Sequence, residues 1–218
     1  MDPITHGLTG ALLGKAFFTG PQSSAPGQAE RARIAVYAAT LGSVFPDIDV
    51  LLGPLTRNDL ATIQLHRGFT HSFSGIPAFA ILLATLTHGY VRRRGLGAPS
   101  WGSLTVVYGL GIASHVLLDV ITSFGTMIWS PWNHTRVAWD LVSIVDFAMT
   151  AVVLLPHVLA RVYRSREGSL LRAARGWIIL SLCAIAAAGL VAAAGFPTSV
   201  GPVVAASVIF AVLLFLPT

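Results

Sequence analysis

Long apolar runs repeat along this sequence, and they constrain its fold more than any other feature. Stretches of roughly 18 to 22 apolar residues recur throughout the chain, and a helix needs about that length to cross a hydrocarbon core of about 30 Å. Only 11% of the residues are charged, whereas soluble domains carry about 25%. The sequence therefore predicts an all-α fold, a polytopic transmembrane helical bundle.

The apolar runs define six spans and a shorter stretch at the N-terminus, separated by polar or Pro/Gly-containing connections. Their ranges are 4–18, 34–52, 72–91, 103–122, 139–160, 176–195 and 200–217. The first is short enough to be tilted or re-entrant, and the last ends so near Thr218 that the natural chain could continue further. We expect one integral membrane domain over 1–218, in which 1–150 carry the polar motifs and 151–218 form accessory spans.

The basic residues predict an orientation, because cytoplasmic loops retain an excess of Lys and Arg. With the N-terminus outside the inner (plasma) membrane, the cytoplasmic side holds Lys15, Arg31, Arg33, Arg92, Arg93, Arg94, Arg161, Arg164, Arg166, Arg172 and Arg175. Only Arg57, Arg67 and Arg136 then face outward. This segregation explains the net charge of +5 more simply than a nucleic-acid partner does, so we expect no nucleic-acid binding.

Seven ionisable side chains occur in or beside the apolar segments, where such residues are rare and usually functional. In the topology derived from the basic residues, all seven lie toward the outer end of the first four spans. They are His6, Asp47, Asp49, His66, His71, His115 and Asp119. Imidazoles and carboxylates at one depth suit a borderline divalent metal such as zinc. We therefore predict a metal site between spans 1 to 4, near the outer face.

The spacing of the histidines leaves two interpretations open. His115 and Asp119 are four residues apart, so a helix places both on one face. They are either metal ligands or a buried hydrogen-bonded pair that joins helices. His66 and His71 are five residues apart, which fits a loop entering a helix better than a single helical face. They are either two convergent ligands or loop histidines in water.

Two aspartate motifs contain proline, which restricts the local backbone. Pro46 interrupts the helix before Asp47 and Asp49, so both carboxylates could turn inward. Alternatively, one binds the metal and the other orients a ligand or caps a helix, and we rank Asp47 above Asp49 as the ligand. Asp2-Pro3 is typical of an N-cap followed by a proline at the first helical position, which gives Asp2 a structural role.

A second polar set lies in residues 123–147. Arg136 is either a phosphate-binding group, which would use paired hydrogen bonds, or a solvated loop residue. Asp140 and Asp146 are candidates for a metal ligand, an orienting contact or a general base. The tryptophans of this segment fit an aromatic belt at the membrane interface; they are Trp129, Trp132 and Trp139.

Four motifs, in a fixed order, carry a resemblance to a known family. MDPITHGLTG, FPDIDVL, HRGFTHS and HVLLDVITSFGT resemble the motifs of the bacterial and archaeal membrane-bound, predicted metal-dependent hydrolases of the YdjM type. The resemblance covers about 1–150 and fades in the last two spans. That family is in turn distantly similar to zinc-dependent phospholipase C and P1-type nucleases, which are helical phosphodiesterases with a multi-zinc cluster.

The more remote similarity implies a set of zinc ligands. They are His6, Asp47, His71, His115 and Asp119, with His66 and Asp49 as further candidates. The His-xxx-Glu pattern of the soluble enzymes has no match here, because the only glutamates are Glu30 and Glu167. Either Asp140 or Asp146 substitutes, or one metal position is missing. The resemblance thus implies one to three divalent ions, Zn²⁺ before Mn²⁺ or Mg²⁺.

These patterns predict a metal-dependent phosphoesterase, either phospholipase C-like or a lipid phosphatase, acting at the outer leaflet on a membrane lipid or a lipid-linked phosphate. The candidate catalytic residues are Asp49, His66, Arg136 and Asp146. A metal-ion or proton transporter is the second hypothesis, because intramembrane His and Asp side chains also form ion pathways. The third is a structural metal clip between the first four spans.

Overall fold

A computed structural model describes residues 1–18, 27–52, 66–97, 99–195 and 199–215. Within these ranges the chain is helical and forms no strand, which confirms the all-α prediction. The α-helices are α1 (Pro3–Phe18), α2 (Gln28–Val44), α3 (Gly75–Arg93), α4 (Trp101–Val120), α5 (Phe147–Val162), α6 (Ser169–Ala193) and α7 (Val200–Phe215). Two 3-10 helices cover Phe45–Leu52 and Phe69–His71.

Proline ends α2 where the sequence predicts an interruption. The α-helix stops at Val44, and Phe45–Leu52 continues as a 3-10 helix, because Pro46 has no N–H for the α-helical ladder. The prediction placed the start of this span too late, since α2 begins at Gln28. At the other end of the chain, α6 also begins earlier than predicted, at Ser169, so that Arg172 and Arg175 lie inside the helix.

The predicted span 139–160 is wrong at its start, because α5 begins only at Phe147. The preceding segment runs alongside the residues that follow α4. Trp139 donates its backbone N–H to the carbonyl of Val120 over 2.7 Å, and Val137 exchanges backbone hydrogen bonds with Thr126 at 2.9 and 3.0 Å. These tertiary hydrogen bonds replace the helical ones that the apolar composition suggested.

Among the residues that the structure describes, two helices, α4 and α6, are long and apolar enough to cross a bilayer. Two more apolar helices, α5 and α7, are shorter. The tryptophans of the α4–α5 connection have exposed side chains, as an aromatic belt requires; they are Trp129, Trp132 and Trp139.

The chain divides into two compact units, Met1–Leu154 and Leu155–Thr218. In the second unit α6 packs against α7, and Trp177 donates its indole N–H to the carbonyl of Ser207 over 3.0 Å. In the first unit α2 packs against both α1 and α4, while α3 packs against α4. The polar motifs all belong to this first unit.

Two glycines bring α1 and α4 into backbone contact with the same turn of α2. A Cβ atom on Gly10 would lie 2.6 Å from the carbonyl oxygen of Ala39, and a Cβ atom on Gly111 would lie at the same distance from that oxygen. Each glycine lies one helical turn from a histidine, His6 on α1 and His115 on α4. The close approach therefore sets the distance between these two imidazoles.

This contact predicts a difference between two glycines of α1. Gly10→Ala should lower the melting temperature of the purified protein, because its methyl group would meet Ser43 Cβ at 2.5 Å and overpacking costs about 1–3 kcal/mol. Gly7→Ala is the matched control, since its nearest neighbour is Val44 Cγ2 at an ordinary 3.5 Å. Equal melting temperatures for the two variants would contradict this account of the packing.

Candidate metal centre

Four side chains from three elements converge in the first unit. The two 3-10 helices provide Asp47 and His71, and α4 provides His115 and Asp119. One ligand atom from each residue lies within 4.8 Å of all the others. The Nε2 atoms of both histidines lie 3.3 Å from Asp119 Oδ2 and 3.5 Å from Asp47 Oδ1. We call these four residues the metal cluster.

Local structure explains why these side chains point inward. His115 and Asp119 are one turn apart on the buried face of α4, and neither side chain is exposed. Asp47 follows the proline that turns the chain out of α2, and His71 ends the second 3-10 helix. The solvated-loop interpretation of His71 is wrong, since its side chain is fully buried.

The tautomer of His115 is set by the main chain of α2. Its Nδ1 lies 2.7 Å from the carbonyl oxygen of Ser43, and a carbonyl can only accept a hydrogen bond. In the neutral imidazole, Nδ1 therefore carries the proton, and the lone pair of Nε2 faces the metal cluster. Such a hydrogen bond to the distal nitrogen is the usual way in which proteins orient a metal-binding histidine.

The tautomer of His71 follows from the same argument. The hydroxyl of Thr70 donates to Asp49 Oδ2 over 3.1 Å, so its oxygen accepts from His71 Nδ1 at 2.8 Å. In the neutral ring the Nε2 atom of His71 carries the lone pair, and it lies only 3.0 Å from Nε2 of His115.

With both imidazoles neutral, the cluster thus brings two imidazole lone pairs and two carboxylates together. Four electron-rich groups at this separation repel one another unless a cation lies among them. Two imidazoles with two carboxylates fit a divalent metal such as zinc. Asp119 Oδ2 is buried and forms an ion pair with Arg67 Nε at 3.1 Å, without hydrogen-bond geometry to any described residue.

His6 lies against the cluster without belonging to its four ligand atoms. Its ring stacks on His115 with 3.6 Å between centroids, and its Nε2 is 3.3 Å from Asp119 Oδ1. Neither ring nitrogen has hydrogen-bond geometry to any described residue, although the side chain is fully buried. His6 is therefore positioned as an additional ligand beside Asp119.

Asp49 lies behind His71 and holds the surrounding loop. Its carboxylate pairs with His66 Nδ1 at 2.9 Å, accepts the backbone N–H of Arg67 at 3.0 Å, and is 3.4 Å from His71 Nδ1. Of the two aspartates after Pro46, Asp47 thus provides a candidate ligand and Asp49 orients the histidines. His66 pairs with Asp49 and lies outside the four ligands, and 23% of its side chain is exposed.

The role of Arg67 was not predicted from the sequence, which only placed this residue on the outer side. The side chain is buried, and Nε lies 3.1 Å from Asp119 Oδ2. Nη1 donates to the hydroxyl of Thr122 and to the carbonyl of Gly125. The position of Arg67 between the two histidines of HRGFTH could have indicated that it belongs to the site. The amino group of Met1 contacts the other oxygen of Asp119.

Arg136 lies beside the centre rather than in free solution. Its Nη2 donates to the carbonyl of His66 over 2.9 Å, and its guanidinium lies over the ring of Phe124. Arg67 contacts the same ring. Burial, together with the charge of Arg67, lowers the pKa of Arg136.

The remaining candidates lie elsewhere in the first unit. Asp146 accepts the backbone N–H of Met149 over 2.9 Å and so caps α5. Asp140 is exposed and has a positive φ of 52°. Asp2 accepts the backbone N–H of Thr5 over 2.9 Å, which confirms its predicted capping role. The four-residue cluster includes neither Asp140 nor Asp146, so neither of these two aspartates replaces the missing His-xxx-Glu ligand there.

Apolar helices surrounding a buried His/Asp cluster define a class, that of helical membrane proteins with a candidate metal centre. The chain belongs to the YdjM inner membrane protein family, whose model matches residues 1–214. This confirms the family resemblance and places the protein in the inner membrane. The similarity to zinc-dependent phospholipase C and P1-type nucleases stays a prediction.

The chain is also similar to the uncharacterized protein YfhP of Bacillus subtilis (strain 168), with 31% identity over 148 residues. The match covers 67% of this chain and 42% of YfhP, so the chain spans less than half of that relative. No solved structure matches the chain.

Proposed function

We propose that this protein is a multi-pass, metal-dependent phosphoesterase of the inner membrane that acts on a lipid or lipid-linked phosphate. The convergence of two imidazole nitrogens and two carboxylates is the observation that carries the proposal. Asp47, His71, His115 and Asp119 would hold the ion, and His6 is positioned to join them. A divalent metal bound there supplies Lewis acidity toward a phosphoryl oxygen and lowers the pKa of a water molecule.

The proposed topology has six or seven spans, with the N-terminus and the site toward the extracytoplasmic side. The asymmetry of Lys and Arg between alternate connections supports this orientation. A site at that depth meets outer-leaflet lipids by lateral diffusion, so we propose phospholipid or polyprenyl-phosphate substrates. Zinc is the proposed ion, with manganese and magnesium as alternatives.

His66 is the proposed general base, and Asp49 is its positioning residue. The Asp49 carboxylate fixes Nδ1 of His66 at 2.9 Å, which leaves Nε2 of this partly exposed side chain as the proton acceptor. Arg136, hydrogen-bonded to the His66 carbonyl, contributes positive charge for the phosphate group. The capping bond of Asp146 makes it a weaker candidate for the base.

The test measures phosphate or head-group release from a lipid panel by zinc- or manganese-loaded protein. His66→Gln should lower the turnover rate by about 10²- to 10⁴-fold, the usual contribution of a general base, while elemental analysis shows unchanged metal content. His134→Gln is the matched control, because His134 is an exposed histidine of the α4–α5 connection.

The proposal fails if the loaded protein and His115→Ala release products at the same background rate from every lipid. Flux assays in proteoliposomes separate the alternatives. Metal or proton flux that is lost in Asp47→Asn, without turnover, would identify a transporter. Loss of thermal stability on chelation, with neither turnover nor flux, would identify a structural metal clip.

A further inference from the structure

An apolar groove of about 410 Å³ opens beside the metal cluster. Its walls come from all four helices of the first unit that surround the cluster, and they include Leu41, Val44, Phe45, Leu83 and Tyr108. Of the described residues that line it, Asp47 alone is charged. Asp47 is also a member of the metal cluster, so the groove and the centre share a wall.

The groove extends away from the cluster along two helices. Tyr108 lies about two helical turns before His115 on α4, or roughly 10 Å at 1.5 Å per residue. Leu83 lies about two turns into α3, whose first residue closely follows His71. The polar end of the groove is therefore at Asp47, and its apolar end lies about 10 Å further along α3 and α4.

We propose that this groove holds the hydrocarbon chain of a phosphate-bearing amphiphile whose head group reaches the metal cluster. The inference rests on the proposed function, because it assigns a place to the apolar part of that substrate. Pockets of about 300–1,000 Å³ with apolar walls and few polar groups are typical small-molecule sites. A protein partner would instead bury about 800 Å² on each side, for which a concave pocket of this size is unsuited.

Asp47, which lines the groove and belongs to the metal cluster, distinguishes a site for a substrate chain from a surface that binds bulk lipid. A chain seated between Leu83 and Tyr108 places its first carbons near Asp47, where the cluster can engage the attached phosphate. Bulk lipid would occupy the groove whatever its head group and whatever the metal state. Dependence on the phosphate and on the metal is therefore the property to measure.

The experiment uses a long-chain alkyl phosphate with a photoreactive diazirine at the chain end. Irradiated with zinc-loaded full-length protein, it should label peptides that contain Leu83 or Tyr108, and excess alkyl phosphate without the diazirine should compete. Leu83→Trp fills the groove and should reduce labelling at least tenfold. Leu82→Trp is the matched control, because Leu82 is a half-exposed neighbour on α3 that does not line the groove.

A second variant distinguishes a filled groove from a misfolded protein. Leu41 lines the groove but is 61% exposed, so Leu41→Trp should narrow the groove without disturbing the core. Both groove variants should keep their bound zinc, measured by elemental analysis. In a turnover assay with soluble alkyl phosphates, each methylene added should lower KM severalfold in the parent and much less in the variants.

The outcomes separate this inference from the proposed function. Metal-dependent labelling at Leu83 without turnover would support the groove and contradict the hydrolase. Turnover that is independent of chain length, with labelling absent from the groove, would overturn the inference and leave the hydrolase standing. Equal labelling by an uncharged long-chain alcohol that carries the same diazirine would show that the groove binds bulk lipid. Equal labelling of protein stripped of zinc would show the same. Either result would also overturn the inference.

Discussion

Replacing His115 by alanine should abolish stoichiometric metal binding by the purified protein. The substitution removes one of four ligand atoms and leaves the carbonyl of Ser43 without its 2.7 Å hydrogen-bond donor. Loss of an orienting contact alone weakens metal binding about 10- to 100-fold, so loss of a ligand should exceed about 100-fold. Elemental analysis after dialysis, followed by zinc titration calorimetry, measures both the content and the affinity.

The control for this prediction is His134→Ala, which removes an exposed imidazole and should retain the metal of the parent protein. A stability measurement guards against trivial unfolding, since His115→Ala should still melt cooperatively when no metal is present. Retention of a full equivalent of zinc by His115→Ala would rule out the four-residue cluster as the binding site. Binding by neither the parent nor the variant would do the same.

The existence of this cluster could be predicted from the sequence because two independent signals agreed. The distribution of Lys and Arg set the orientation of the spans, and the seven His and Asp residues then fell at one depth. The structure joins all seven in one contact network, from His6 beside Asp119 to His66 beside Asp49. The four-residue spacing of His115 and Asp119 needed only helical periodicity.

The features that could not be predicted from the sequence depend on contacts between distant segments. Residues 139–146 are apolar enough for a span, yet Leu141 donates to the carbonyl of Ile121 over 2.9 Å. No periodicity in the sequence reports such a backbone pairing. The pairing of Arg67 with Asp119, which lies in another motif, was not predicted either. Which carboxylate a buried arginine meets is decided by tertiary packing.

The apolar groove could not be predicted from the sequence, for a related reason. Leu41, Leu83 and Tyr108 are ordinary span residues, and nothing distinguishes them from lipid-facing ones. They form a cavity wall only because α2, α3 and α4 leave space between them beside Asp47. Hydropathy identifies which segments enter the membrane, whereas the shape between those segments depends on how their small and large side chains pack.

Substituting Arg67 by methionine should destabilise the metal-free protein much more than the metal-loaded protein. Methionine keeps much of the apolar volume but removes the cation 3.1 Å from Asp119 Oδ2. Breaking a buried ion pair costs about 3–5 kcal/mol, because the remaining charge is left without a partner. A bound divalent ion also neutralises Asp119, so added zinc should restore most of the lost stability.

Thermal unfolding of Arg67→Met in detergent, with zinc or with chelator, measures this difference. Arg67→Lys is the informative comparison, since it keeps a positive charge but loses the paired contacts to Thr122 and Gly125. We expect its melting temperature in chelator to lie between those of the parent and Arg67→Met. If zinc shifts the melting temperature of parent and Arg67→Met equally, then Asp119 is not the group through which arginine and metal act together. A larger zinc-induced shift for Arg67→Met than for the parent would show that arginine and metal act through the same carboxylate.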